Sequence, residues 1–201
     1  MMKKKIAGIV LAVSVAGGVG TGVVANALTT ESPGPGPAPS TQAIVAPGDL
    51  VLAPGAVGPI TVGMSKADAV GTGYFVADVA SPADGCPARP LSWRDEYLDA
   101  YDVHTLGNGE IVSIGVWGTG ARTADGVGVG SRYRQVRDAY PGEELVEAGY
   151  GQSGVRYFDG EDGGWIGFLF DEPVDEVDAA SRVTFVEVTK GTEPSLMRDG
   201  C

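Results

Sequence analysis

The sequence is poor in the groups from which metal and catalytic centres are built. One histidine and two cysteines stand among its 201 residues. Zinc sites draw most of their ligands from these two residue types, so no metal centre is expected once Cys86 and Cys201 pair. No G-x-S-x-G elbow marks a nucleophilic serine, and no G-K-[ST] completes a phosphate loop. Basic side chains are scarce too: 14 Lys and Arg face 26 Asp and Glu, a formal charge of −12. Three of those lysines lie in Met1–Lys5, so the chain after Ala27 carries 11 basic and 26 acidic residues, a net −15. A surface of that sign repels phosphate backbones and anionic lipid, which excludes nucleic acid and peripheral membrane surfaces as partners. No cofactor is expected.

What is present falls into three parts. Met1–Lys5 is basic, Ile6–Val24 is uncharged and apolar, and Ala25-Asn26-Ala27 is a small-x-small cleavage site. Residues 1–27 therefore read as a secretory signal peptide, with an uncleaved membrane anchor over residues 6–25 as the alternative. No cysteine lies near the end of the apolar run, which excludes a lipid anchor on cysteine. Residues 28–47, with Pro33-Gly34-Pro35-Gly36-Pro37, form a linker that has too little apolar surface to offset its ordering entropy. Residues 48–201 are expected to fold as one monomeric domain. In an exported chain two cysteines suggest a disulfide. A Cys86–Cys201 bridge would close a loop of over 100 residues, contributing about 5 kcal/mol in the chain-entropy view; free thiols and pairing between chains are the alternatives. Beyond the signal segment Arg outnumbers Lys, and Ala, Gly, Val and Asp abound, a coding bias like that of a high-GC bacterium such as an actinobacterium.

The domain is organised around a repeated pattern. Gly58–Gly73 and Gly126–Gly142 each run from a short apolar strand through Gly63 or Gly130 and Ser65 or Ser131 into a helix. The expected fold is α+β, two related repeats (48–120 and 121–201), each a short helix or helical hairpin packed on antiparallel strands. Ser65 and Ser131 are suited to N-caps, with Asp68 placed to complete a capping box. Tyr133, Val136 and Tyr140 share a helix face and read as core. Strands are expected at 50–52, 60–62, 74–79, 101–106, 111–117, 144–147, 155–159, 165–170 and 183–189, with 93–98 open between strand and helical turn. Asn108-Gly109 signals a type I′ hairpin, with Val112, Ile114 and Val116 on its buried face. Asp171–Asp178 reads as a short surface helix, solvated or facing a cationic partner.

Several side chains are weighed for chemistry. His104 shares a strand face with Asp102, the pairing that orients an imidazole base, but no nucleophile accompanies it and no catalytic residue is assigned. The Asp159–Gly164 acids lack the spacing of a calcium loop and read as a hairpin turn. The stretch Glu147–Tyr157, EAGYGQSGVRY, sets Tyr among glycines, a composition suited to recognition; Tyr150, Gln152, Arg156 and Tyr157, with Trp165, form the candidate binding surface.

A resemblance joins these readings. Ile60–Val70, ITVGMSKADAV, resembles the Gly-Met-Ser/Thr signature that opens each half of the β-lactamase inhibitory proteins and the single unit of a small outer-membrane assembly lipoprotein. It implies a helical hairpin packed on an antiparallel sheet; the second copy departs from it at Ser131 and Arg132. TADGVGVGS and the closing RDGC resemble exported actinobacterial proteins of unknown function, which implies export. The expected function is a non-catalytic exported binding or interaction module of the cell envelope or extracellular space, its partner an unidentified protein or cell-wall component. The alternatives are a secreted hydrolase using paired carboxylates across a groove lined by Trp93, Trp117 or Trp165, and an inhibitor of an exported enzyme.

Overall fold

The computed structural model describes residues 43–81 and 87–197. Residues 1–27, read above as a signal peptide, residues 28–42 of the expected linker, and both Cys86 and Cys201 lie outside the described residues. The chain runs β1 (Val51–Ala53), β2 (Ala56–Val57), β3 (Ile60–Thr61), α1 (Lys66–Gly71), β4 (Phe75–Val79), β5 (Arg89–Trp93), β6 (Tyr101–Thr105), β7 (Ile111–Val116), β8 (Arg122–Thr123), α2 (Tyr133–Ala139), β9 (Leu145–Gly149), β10 (Gln152–Asp159), β11 (Gly164–Phe170) and β12 (Val183–Lys190). This is an α+β fold in which sheets dominate. The largest has six strands in the order β6-β7-β12-β11-β10-β9. A four-stranded sheet, β3-β2-β1-β8, and a separate β4-β5 hairpin complete it. Among the described residues no helix is long and apolar enough to cross a membrane.

One face of the six-stranded sheet carries the main core. Ile114, Val116, Val155, Ile166, Phe168, Phe170, Val186 and Val188 alternate inward and join Leu52, Val57 and Ile60 of the small sheet in one cluster. Helix α2 adds Val136 and Tyr140; Tyr140 lies 5.2 Å from Phe168 and Tyr133 meets Phe170 edge-on at 5.5 Å. An aromatic group, Tyr74, Phe75, Trp93, Tyr97 and Tyr101, fills the space under β4, β5 and β6, with Trp93 5.0 Å from Tyr101 and 4.3 Å from Phe75. Its hydroxyls fasten the N-terminal approach: Tyr74 OH accepts from Val45 N–H, Tyr97 OH donates to Val45 O, and Tyr101 OH donates to Pro47 O. The docked chain thus begins before the linker boundary expected at residue 47.

Local structure departs from the sequence reading at identifiable points. Ser65 caps α1 and shares hydrogen bonds with both the N–H and the carboxylate of Asp68. Ser131 does not cap α2. It is buried, its Oγ accepts Gly128 N–H at 3.0 Å, and the N-cap moves to Arg132, whose N–H donates to Gln135 Oε1 at 2.9 Å. Each helix is single, so no helical hairpin forms among the described residues. In the β6–β7 hairpin only Gly109 takes positive φ, at 84°, and Gly109 N–H closes a turn on Leu106 O; the turn is not type I′, which needs two such residues. A register shift between His104 and Thr105 pairs Thr105 with Ile111. The extra residue moves Ile111 into the core and leaves Val112 outside, 38 % exposed. Asp171–Asp178 forms turns rather than a helix, with Glu176 and Val177 N–H both bonded to Pro173 O.

Candidate functional site

The opposite face of the six-stranded sheet is built differently. Strand register aligns its side chains in three cross-strand rows. One holds Phe158, Trp165, Thr189, Ser113 and His104; the next holds Arg156, Gly167, Glu187, Gly115 and Asp102; the third holds Gly154, Leu169 and Phe185, and ends at Trp117, just past β7. The middle row alternates charged residues with glycines, and the glycines leave hollows that other side chains fill.

Half of this face is closed by the C-terminal segment, Thr192–Met197. Leu196, held at φ 58°, drops into the hollow over Gly154 and Gly167, where a Cβ on Gly167 would stand 2.8 Å from its Cδ2. It joins Ala148, Leu169 and Phe185 in a second small core. Arg156 Nε donates to Pro194 O at 2.9 Å and pairs with Glu193 at 3.2 Å. Glu187, 2 % exposed, accepts Leu196 N–H at 2.7 Å. A buried carboxylate needs such donors to be tolerated. Arg156 and Glu187 therefore serve as fasteners for this strap.

The other half stays open around Trp117. Its ring lies 4.3 Å from that of Phe185, and its Nε1–H donates to Asp102 Oδ2 at 2.8 Å. Asp102 Oδ1 accepts Gly115 N–H at 3.0 Å, and the carboxylate occupies the space a Cβ on Gly115 would need. Stacking on one side and a charge-assisted hydrogen bond at the edge fix the indole, which remains 44 % exposed. Two clefts share it as a wall. A larger one, about 650 Å³, runs between β5 and β6 and includes Arg89, Ser92, Asp102 and His104. A smaller one, about 200 Å³, lies between Trp117, Tyr150, Gln152, Asp171, Thr184 and Met197. Its floor is a hydrogen-bonded set: Asp171 Oδ1 accepts from Gln152 Nε2 at 2.9 Å and from Thr184 Oγ1 at 3.1 Å.

Tyr150 stands at the tip of the β9–β10 turn, 89 % exposed. Gly149, Tyr150 and Gly151 all take positive φ, at 98°, 55° and 75°. Glycine adopts that region freely, whereas a bulky aromatic residue does so at a cost of order 1 kcal/mol. Gly149, Gly151 and Gly154 happen to spell G-x-G-x-x-G, but they join two antiparallel strands and no helix begins there, so the phosphate-binding geometry is missing.

The five residues singled out from sequence are thus divided. Tyr150 and Gln152 line the smaller cleft. Arg156 is taken up by the strap. Tyr157 turns to the main core, 4.9 Å from Tyr140, and Trp165 stacks on Phe158 at 4.7 Å. Asp171, Thr184 and Trp117 are polar or aromatic cleft residues that the sequence reading left out of the binding surface; Trp117 entered there only as a groove wall for the hydrolase alternative. Burial raises the phenol pKa of Tyr97, Tyr101 and Tyr140; all three belong to the core, and Tyr101 also lines the larger cleft.

No family model matches the chain, and no curated protein does. Among solved structures, the uncharacterized protein yfeY from Escherichia coli aligns over 65 % of this chain and 93 % of its own length, with 13 % identity and a TM-score of 0.41.

Proposed function

We propose that this protein is a non-catalytic exported binding module of the cell envelope or extracellular space, and that it binds as a monomer through the open half of the far sheet face. The observation that carries the reading is the pairing, in one cleft, of an indole locked in place with a tyrosine held out on a strained turn. Rigid aromatic side chains offer contact area at low entropic cost, and backbone strain is retained where something other than stability selects it. Asp102, the acid a His104-based mechanism would use, has its two carboxylate oxygens donated to by Trp117 and Gly115.

Two related repeats are part of the same proposal. In support, Gly63 and Gly130 both take positive φ (90° and 85°) ahead of a short helix. With β8 counted at the start of the second repeat, four strands follow each helix, β4–β7 and β9–β12, and β7 pairs antiparallel with β12.

The test is a capture experiment with the full chain, offered washed cell walls, membranes and culture supernatant of its host at low and moderate salt. Retention by one fraction, insensitive to salt and lost in Tyr150→Ala, is expected. Equal retention of wild type and Tyr150→Ala, or none from any fraction, would overturn the reading.

A further inference from the structure

The ligand class can be taken one step further, and this step rests on the cleft being the binding site. We propose that the Trp117–Tyr150 cleft holds a sugar ring of a neutral glycan. A pyranose is flat, apolar on its C–H faces and rimmed with hydroxyls that both donate and accept. Such a molecule needs an aromatic face to lie on and, at the edge, polar side chains of both characters.

The cleft supplies each of these. Phe185 covers one side of Trp117 and Asp102 holds its N–H, so the surface left to a ligand is π-face, negative at its centre and suited to weakly positive C–H bonds. At the edge, Asp171 Oδ1 is already shared by Gln152 and Thr184. Its Oδ2, together with Gln152 Oε1, has no partner among the described residues, and Gln152 keeps a second N–H to give. A carboxylate beside an amide presents two acceptors and a donor, the complement of neighbouring sugar hydroxyls. The volume, about 200 Å³, suits a small ring rather than a folded surface. Charge narrows the class: an acidic sugar would meet Asp171 on a chain of net charge −12. A compact cation is the competing ligand for aromatic rings beside a carboxylate, but two donors already draw on Asp171, and Gln152 adds nothing for a cation that it does not add for a hydroxyl.

Trp117 also walls the larger cleft, where Ser92, His104 and Thr105 line the path between β5 and β6. A chain of sugars seated at Tyr150 would continue past Trp117 into it, so affinity rises with oligosaccharide length.

The experiment titrates the full chain with neutral tetrasaccharides of glucose, mannose and N-acetylglucosamine, their disaccharides, and tetralysine, reading heat and tryptophan emission. At least one neutral tetrasaccharide should bind, more tightly than its disaccharide, and shift the emission. Asp171→Asn and Tyr150→Ala should each weaken it about tenfold or more, a loss of about 1.4 kcal/mol; Tyr150 is exposed, so the near-ultraviolet dichroism of that variant should match wild type. Binding of tetralysine without any neutral sugar, no sugar binding, or sugar binding unchanged in both variants would overturn the proposal. If wall or supernatant capture depends on Tyr150 while no sugar binds, the glycan assignment fails and the binding module stands; if capture fails as well, both fall.

Discussion

One face of the six-stranded sheet is covered by packing, and the other is half covered by fastening. On the core face, β-branched and aromatic residues interdigitate with α2 and the small sheet, and nothing polar is required of them. On the far face, glycines make room, Arg156 and Glu187 bind a peptide strap, and the part beyond the strap is left open with Trp117 fixed above it. Substitution on the first face should register only as stability. On the second face stability and the proposed binding should separate, since the strap residues hold the fold together while the cleft residues should change with little effect on folding.

The largest effect expected from this contrast is at Phe168, which is fully buried. Phe168→Ala should cost about 3–5 kcal/mol in denaturant melts, with loss of binding only as the fold is lost. Next comes the strap. Gly167→Val places a branched side chain against Leu196 and Pro194, and should cost about 1–3 kcal/mol while making the C-terminal segment open to proteolysis. If the C-terminus stays protected in that variant, the strap does not depend on its hollow.

Tyrosine hydroxyls provide a smaller effect with a sign that can be worked out. The phenols of Tyr97, Tyr101 and Tyr140 are raised from 10.0, chiefly by burial, so the fold favours the protonated form. Below pH about 10 the folded and unfolded chains both hold these protons and the contribution is complete. Above it the unfolded chain ionises first, and stability falls as pH rises through the folded values. Thermal melts should therefore drop steeply above pH 10. Tyr101→Phe should lower stability at neutral pH by about 1–2 kcal/mol, since Pro47 O loses its donor, and should flatten the alkaline decline. The smallest effect runs the other way. Asn tolerates left-handed backbone better than Tyr, so Tyr150→Asn should raise stability by up to about 1 kcal/mol while abolishing capture. Stabilisation with unchanged capture would mean that the strain at Tyr150 serves no ligand.

The sequence disclosed the strands well because period-two alternation is a local signal, and β6, β7, β10, β11 and β12 each lie within a few residues of their expected bounds. Local cues also found the Ser65 cap and the Tyr133–Val136–Tyr140 face. Where non-local contacts decide, they failed. Ser131 looks like a cap and is instead buried against Gly128. Val112 continues an alternation that the bulge at His104 breaks. Arg156 and Tyr157 adjoin in sequence but point to opposite faces, one under the strap and one in the core. The cleft joins Trp117, Tyr150, Asp171 and Thr184 from four separate segments, so no window of sequence could show it, although Tyr150 among its glycines and its neighbour Gln152 were visible there.

The most direct test of the central claim is retention of the full chain by host wall, membrane and supernatant fractions, compared among wild type, Tyr150→Ala and Val51→Ala, the last an exposed position on β1 away from the cleft. Val51→Ala should be retained like wild type by the same fraction, and Tyr150→Ala should not. Retention of all three alike would contradict it.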